Sequence, residues 1–286
     1  TGSLTDSGYP RVLKRWRRGQ SLSEATTLFT GSPTDVIVSA AVDRTPGYER
    51  TLVYRAIDFF NDEVYQLRSG ELVRIDAPTD SSLSVHRGWL LIELRTDWYT
   101  GSDVYPAGSL LAADYEQFLD GTAELSVVFS PDEHTCLHQY AWTLDRLVMV
   151  TLADVASQVE VVTPGTWVRE AIRGAGDADA FASTVIVAAD HTGNEIFLDS
   201  SGFLTPSRLL HGNASEEVTE IKRAPAFFDS TNMTASQHFA TSADGTSVPY
   251  FVVGPAPVGQ TTGEQKRGPT LLGGYGGFKV SRTPGY

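Results

Sequence analysis

Apolar and polar positions alternate along most of the chain in runs too short for helices, bounded by Gly, Asp, Ser and Pro. Residues 11–16 mix apolar and charged positions, as a half-buried strand does, and Arg18-Gly19-Gln20 then turns. Ser23-Glu24-Ala25 reads as a brief helical or loop excursion before Thr27-Leu28-Phe29. β-branched runs follow at 36–42 and 51–60. Segments 63–67 and 71–75 face each other across Arg68-Ser69-Gly70, a hairpin signature. Further strands are expected at 88–94, 109–113, 126–129, 139–142, 146–152, 158–162, 183–188, 195–199 and 208–210. The main helical candidate is 114–119, DYEQFL.

Three stretches, near 51–75, 139–170 and 183–210, share one arrangement: an apolar strand, a polar turn containing Asp, and a second strand. Their spacing of roughly 40 to 60 residues suits four-stranded propeller blades, although a β-sandwich competes on periodicity alone. Before about residue 220 the pattern accommodates roughly four to five blades. Residues 211–238 turn polar and charged up to Lys222-Arg223, which reads as a passage out of that region. Segments 235–240 and 248–253 then suggest one more hairpin, and Thr270–Leu272 the start of a further strand.

A formal charge of −13 argues against non-specific nucleic-acid binding, which needs a basic surface. The one basic cluster, Lys14-Arg15-Trp16-Arg17-Arg18, reads as a strand with exposed cations rather than a nucleic-acid patch. Cys136 is the single cysteine, so no intrachain disulfide can form and a reducing compartment fits. No apolar run approaches the roughly 18 residues that span a bilayer. The opening Thr1-Gly2-Ser3 shows no signal peptide and reads as a cut within something longer.

Candidate chemistry is sparse. His134 and His138 are four apart, a metal-pair spacing on a helix, but His-Thr-Cys-Leu-His lacks the Glu of a zinc-peptidase helix and its flanks read as strand and turn. No metal site and no cofactor are expected. The remaining histidines, His86, His191, His211 and His238, are isolated, and the acidic residues are scattered through turns. The most distinctive stretch is Gly273-Gly274-Tyr275-Gly276-Gly277-Phe278, where Tyr275 and Phe278 are the bulky groups on a permissive backbone. It fits either a turn with two packed aromatics or a loop that presents them to a ligand.

Tyr275-Gly276-Gly277-Phe278, with Ser281, Thr283-Pro284 and Tyr286, resembles the opening of the catalytic domain of the prolyl oligopeptidase family of serine peptidases. Residues 239–251, containing Ser242-Ala243-Asp244-Gly245-Thr246 and Val248-Pro249, resemble that domain's first hairpin. Gly8-Tyr9-Pro10-Arg11-Val12 and Trp16-Arg17-Arg18-Gly19 resemble a strand pair of the family's propeller. The resemblance implies a mainly β chain: a partial β-propeller over 1–220 that gates substrate, followed over 221–286 by the first strands of an α/β-hydrolase domain.

The resemblance also implies roles. Tyr275 matches the family's phenolic donor to the oxyanion, and Phe278 the aromatic that lines the pocket for the residue before the scissile bond. Relatives that cleave after Arg or Lys usually carry Tyr-Gly-Ser-Tyr, so Phe278 points to proline. One departure is Gly273, where the family often has a tyrosine. In α/β-hydrolases the nucleophile sits in Gly-x-Ser-x-Gly, and the acid and His follow it. No serine here has glycine on both sides at that spacing, so the triad is expected outside this sequence and the chain alone is expected to be inactive. The implied partners are short peptide substrates and the remainder of a peptidase chain, in the cytoplasm. A stand-alone propeller binding module and one piece of a split peptidase are the alternatives.

Overall fold

The computed structural model describes residues 2–175, 181–256, 269–277 and 280–286. They fall into two compact units, Thr1–Pro131 and Asp132–Tyr286. In the first, β1 (Val12–Arg15) pairs with β2 (Thr26–Thr30) around a single 3-10 turn at Leu22–Glu24, which Ser21 and Glu24 close as a capping box. Then β3 (Ile37–Asp43), β4 (Arg50–Ala56), β5 (Asp62–Arg68) and β6 (Glu71–Arg74) form a four-stranded antiparallel sheet in sequence order. The turn into β6 holds Ser69 at φ 49° and Gly70 at φ 92°, the left-handed pair whose twist matches the flanking strands.

A second four-stranded sheet is built differently. β7 (Ser82–His86) and β8 (Trp89–Glu93) are followed by a separate hairpin, β9 (Trp98–Thr100) with β10 (Asp103–Tyr105). The sheet then resumes with β11 (Leu110–Asp114), α1 (Tyr115–Leu119) and β12 (Ser126–Phe129), in the order β7-β8-β11-β12. Asp114 caps α1 by accepting a 3.0 Å bond from the Gln117 amide. Leu52 and Val64 of the first sheet meet Leu90, Ile92 and Leu111 of the second in one buried cluster. Each such side chain contributes about 2 kcal/mol of burial. The buried carboxylate of Asp35 takes two bonds from Arg55, at 2.9 and 3.0 Å, and Arg55 reaches Glu63 at 2.9 Å.

In the second unit, β13 (Thr135–Trp142), β14 (Leu147–Ala153), β15 (Ala156–Thr163) and β16 (Val168–Ala171) form a third such sheet. β17 (Ala182–Ala189), β18 (Glu195–Gly202), β19 (Arg208–Asn213) and β20 (Val218–Arg223) form a fourth. Residues 147–152 of β14 are buried on both faces, which explains the continuous apolar run there. Val148, Val150, Val159 and Val161 pack with Ile186, Ile196 and Leu198. β21 (Met233–Thr241) and β22 (Ser247–Pro255) then make a long two-stranded hairpin.

The chain is therefore mainly β, with four propeller-type sheets of four strands among the described residues. All three stretches of the sequence repeat lie in such sheets, and the helix expected at 114–119 is α1. The second sheet escaped the repeat because the β9–β10 hairpin interrupts it. The run expected to reach 60 stops at Ala56, because Asp58 Oδ1 accepts the amides of Phe60 and Asn61 and closes a turn. β20 lies where a polar passage was expected, and its sheet continues to Arg223, a few residues past 220. Thr270–Leu272 carries no strand: Leu271 and Leu272 are 98% and 93% exposed and pair with no strand among the described residues.

Candidate functional site

The residues singled out by sequence lie in the second unit, where the β21–β22 hairpin and the C-terminal segment rest on the propeller-type sheets. The hairpin register runs from Met233↔Pro255 to Thr241↔Ser247. Its tip is closed by Asp244, whose Oδ1 accepts the Ser242 hydroxyl and, at 3.0 Å, the Thr246 amide. The Ser242 bond, followed by the Thr246 bonds, holds the Asp244 carboxyl down at about 2.

The alternating pleat gives the hairpin two different faces. Inward, Phe251 packs against Phe181 and Phe203 with ring centroids 5.3 and 5.0 Å away, and Gln237 Nε2 donates to the Asp154 carbonyl at 2.5 Å. Outward, His238 stacks on Tyr250, and Ser236 Oγ lies 2.9 Å from His238 Nε2. That Ser–His contact is not a catalytic pair. The two residues are neighbours on one exposed strand face, and no carboxylate orients the imidazole among the described residues.

Asp154 joins two features. With Val155 it forms the tight turn between β14 and β15, at φ 45° and 70°, and a β-branched residue in that region is strained. Its carboxylate lies 2.8 Å from His134 Nδ1, and this bond raises the His134 pKa. A cavity of about 610 Å³ opens beside the pair, lined also by Cys136, Phe239, Pro249 and Ser281. It has a base and an orienting acid but no poised nucleophile: burial pushes the Cys136 thiol up, which disfavours the reactive thiolate. His134 and His138 cannot chelate together, because four residues of extended chain span roughly 13 Å. Among the described residues no group of three or more His, Cys, Asp or Glu side chains is placed to hold a metal.

Tyr275 is 54% exposed, and its hydroxyl has no hydrogen-bond partner among the described residues. The phenol folds back over Gly277, where a Cβ would lie 3.0 Å from the hydroxyl oxygen. A side chain at Gly277 would therefore crowd the phenol, and no left-handed φ is involved. Phe278 lies outside the described residues. Beyond it the segment is pinned: Pro284 is buried, Ser183 Oγ donates to Thr283 Oγ1 at 3.0 Å, and Tyr286 stacks on Phe228 at 4.9 Å and 14°. Ser281 reaches the cavity; Tyr275 is not among its lining residues.

The chain can thus present a phenolic donor, but it assembles no nucleophile–base–acid constellation among the described residues. Sequence reading missed the His134–Asp154 pair. The signal was a register one, since Thr135 lies opposite Ala153 and the next pair out is His134 with Asp154.

No protein-family model matches the chain. Among curated proteins it is 33% identical over 296 residues to the uncharacterized peptidase y4nA of Sinorhizobium fredii, covering all of this chain and 40% of that protein. A prolyl endopeptidase of Elizabethkingia miricola is 29% identical over 140 residues, 47% of this chain and 18% of that one. A post-proline cleaving enzyme from Rickettsia typhi superposes with a TM-score of 0.76 at 25% identity, over 90% of this chain and 38% of its own. The chain is similar to part of a prolyl oligopeptidase-type peptidase. It spans about 40% of the length of the first curated relatives it matches. The likeness to the Sinorhizobium peptidase extends over the whole of this chain. Among the described residues no helix is long and apolar enough to cross a membrane.

Proposed function

We propose that this chain is the later propeller and the opening of the hydrolase domain of a serine-type oligopeptidase that cleaves short peptides after proline. The observation that carries the reading is the peptidase likeness along the whole chain, which includes Tyr275-Gly276-Gly277. In this reading residues 1–220 belong to the gating propeller and 221–286 to the hydrolase domain. Peptides and the rest of a peptidase chain are the partners, and the cytoplasm is the compartment.

Tyr275 donates its phenolic proton to the oxyanion of the tetrahedral intermediate. A neutral donor aimed where charge develops lowers the barrier by about 3 kcal/mol. Its exposed hydroxyl, without a hydrogen-bond partner among the described residues, supports the role. Phe278 supplies a flat ring to stack on the substrate proline. Without a serine elbow the chain by itself is inactive.

A binding-module reading is supported by the four complete sheets and their buried clusters, which need no hydrolase chemistry. The two readings part in one experiment. The purified chain is treated with a fluorophosphonate serine probe and a fluorogenic Gly-Pro amide, alone and within a longer polypeptide carrying Gly-x-Ser-x-Gly. The proposal expects no labelling or turnover by the chain alone, and turnover of the Pro substrate over an Arg analogue in the longer protein. Labelling of the chain alone overturns the inactivity; a longer polypeptide without peptidase activity overturns the peptidase reading and leaves the binding module.

A further inference from the structure

The β9–β10 hairpin of the first unit stands apart from the sheet it interrupts, and its two faces are unlike. Side chains on a strand alternate between faces, and directly paired residues share one. Trp98 pairs with Tyr105 and Thr100 with Asp103, so these four stand on one face and Tyr99 and Val104 on the other. Tyr99 and Val104 are 70% and 54% exposed, whereas Trp98, Thr100 and Tyr105 are half-buried. The Trp98 face, with α1 and the α1–β12 connection, bounds a cavity of about 650 Å³, a volume within the range of small-ligand sites.

The apolar wall of this cavity is aromatic. Trp98, Tyr105 and Phe118 line it, and all three rest on the buried cluster around Leu90 and Ile92, which fixes where they stand. The Trp98 and Tyr105 rings are 6.3 Å apart between centroids and 46° out of parallel, so neither lies flat on the other. The charged lining has one sign: Asp76, Asp103 and Glu124 contribute to it, and no Lys, Arg or His does among the described residues. Asp76 is already 3.4 Å from Arg74. The carboxylates of Asp103 and Glu124, both on exposed residues, make no hydrogen bond or ion pair among the described residues.

Aromatic faces and free carboxylates attract the same kind of ligand. A ring face carries negative charge density and draws a cation, as a carboxylate does, and both repel an anion. A neutral apolar ligand would leave the carboxylates unused. A bare metal ion would leave the rings unused, and among the described residues no group of three or more His, Cys, Asp or Glu is placed to hold one. We propose that this cavity binds an organic ammonium cation, with its charge held by the aromatic rings and the Asp103 and Glu124 carboxylates. The inference is independent of the peptidase reading, because none of its residues belongs to the glycine run or the β21–β22 hairpin.

The test titrates the full chain by calorimetry with choline and, separately, with Nα-acetyl-lysine amide. The proposal expects saturable binding of at least one of them; choline binding identifies a free amine as the source, and lysine amide binding a peptide-borne one. The neutral tert-butyl isostere of choline should not bind. Trp98→Leu should weaken binding about tenfold, whereas Tyr99→Leu, on the opposite face of the same strand, should leave it unchanged. Should Trp98→Leu misfold, Asp103→Asn removes a charge that no fold contact uses, and it should weaken binding severalfold. Binding of neither cation overturns the proposal, as does equal binding of the neutral isostere or an equal loss in Tyr99→Leu.

Discussion

The phenolic oxygen of Tyr286 accepts a 2.9 Å hydrogen bond from the backbone amide of Phe227, across 59 residues of sequence. The bond and the stack on Phe228 fasten the C-terminal segment to the stretch between β20 and β21. Tyr286→Phe should cost roughly 0.5 kcal/mol, because the amide regains water in an exposed site. Tyr286→Ala should cost about 2 kcal/mol by removing the ring as well. Urea unfolding gives the two values, and faster exchange of the Phe227 amide in both variants would place the loss at this contact.

Asp35→Asn should destabilise the first unit by about 1.5 kcal/mol, since it weakens the charge-assisted bonds to Arg55, which keeps Glu63 as its counter-charge. The bonds from Arg55 hold the Asp35 carboxyl below its ordinary value. A carboxylate depressed on folding adds stability above its unfolded pKa near 4, and that contribution is lost as pH falls through the folded value. A stability–pH profile in wild type and variant checks this: the two curves should converge in acid and separate above about pH 4.

Val155→Gly should raise stability by about 1 kcal/mol. It relieves a β-branched residue held at φ 70°, and that gain outweighs the greater freedom of glycine in the unfolded chain. A higher melting temperature is the expected readout. A lower one would mean that the valine side chain contributes more beside the cavity than its backbone costs.

In a longer polypeptide with peptidase activity, Tyr275→Phe should lower kcat by roughly 10²- to 10³-fold with little change in KM, as removal of a transition-state donor does. Gly277→Ala should produce part of the same loss, because its Cβ would crowd the phenol oxygen at 3.0 Å. Equal kcat in wild type and Tyr275→Phe would remove Tyr275 from the chemistry.

Most strands were legible because they bury one face and alternate, or bury both and run apolar, as β14 does. The strands that escaped were short or exposed. β16 is exposed at every position, and β20 reads Val-Thr-Glu-Ile-Lys-Arg with only Val218 buried, so neither carries a hydrophobic period. The glycine run could be read as a presenting loop because its composition is local. The His134–Asp154 pair and the docking of Tyr286 could not, since each depends on which distant segments lie side by side.

Nearly every strand in the four sheets pairs with its neighbour in sequence, so each sheet closes over short loops and pays little chain entropy to form. β8 with β11 is the exception, because the β9–β10 hairpin must be set aside before those two strands can meet. That sheet should be the slowest of the four to acquire its pairing. Its two outer segments, already joined as β7–β8 and β11–β12, would wait on a single closure event whose rate a shorter insertion would increase.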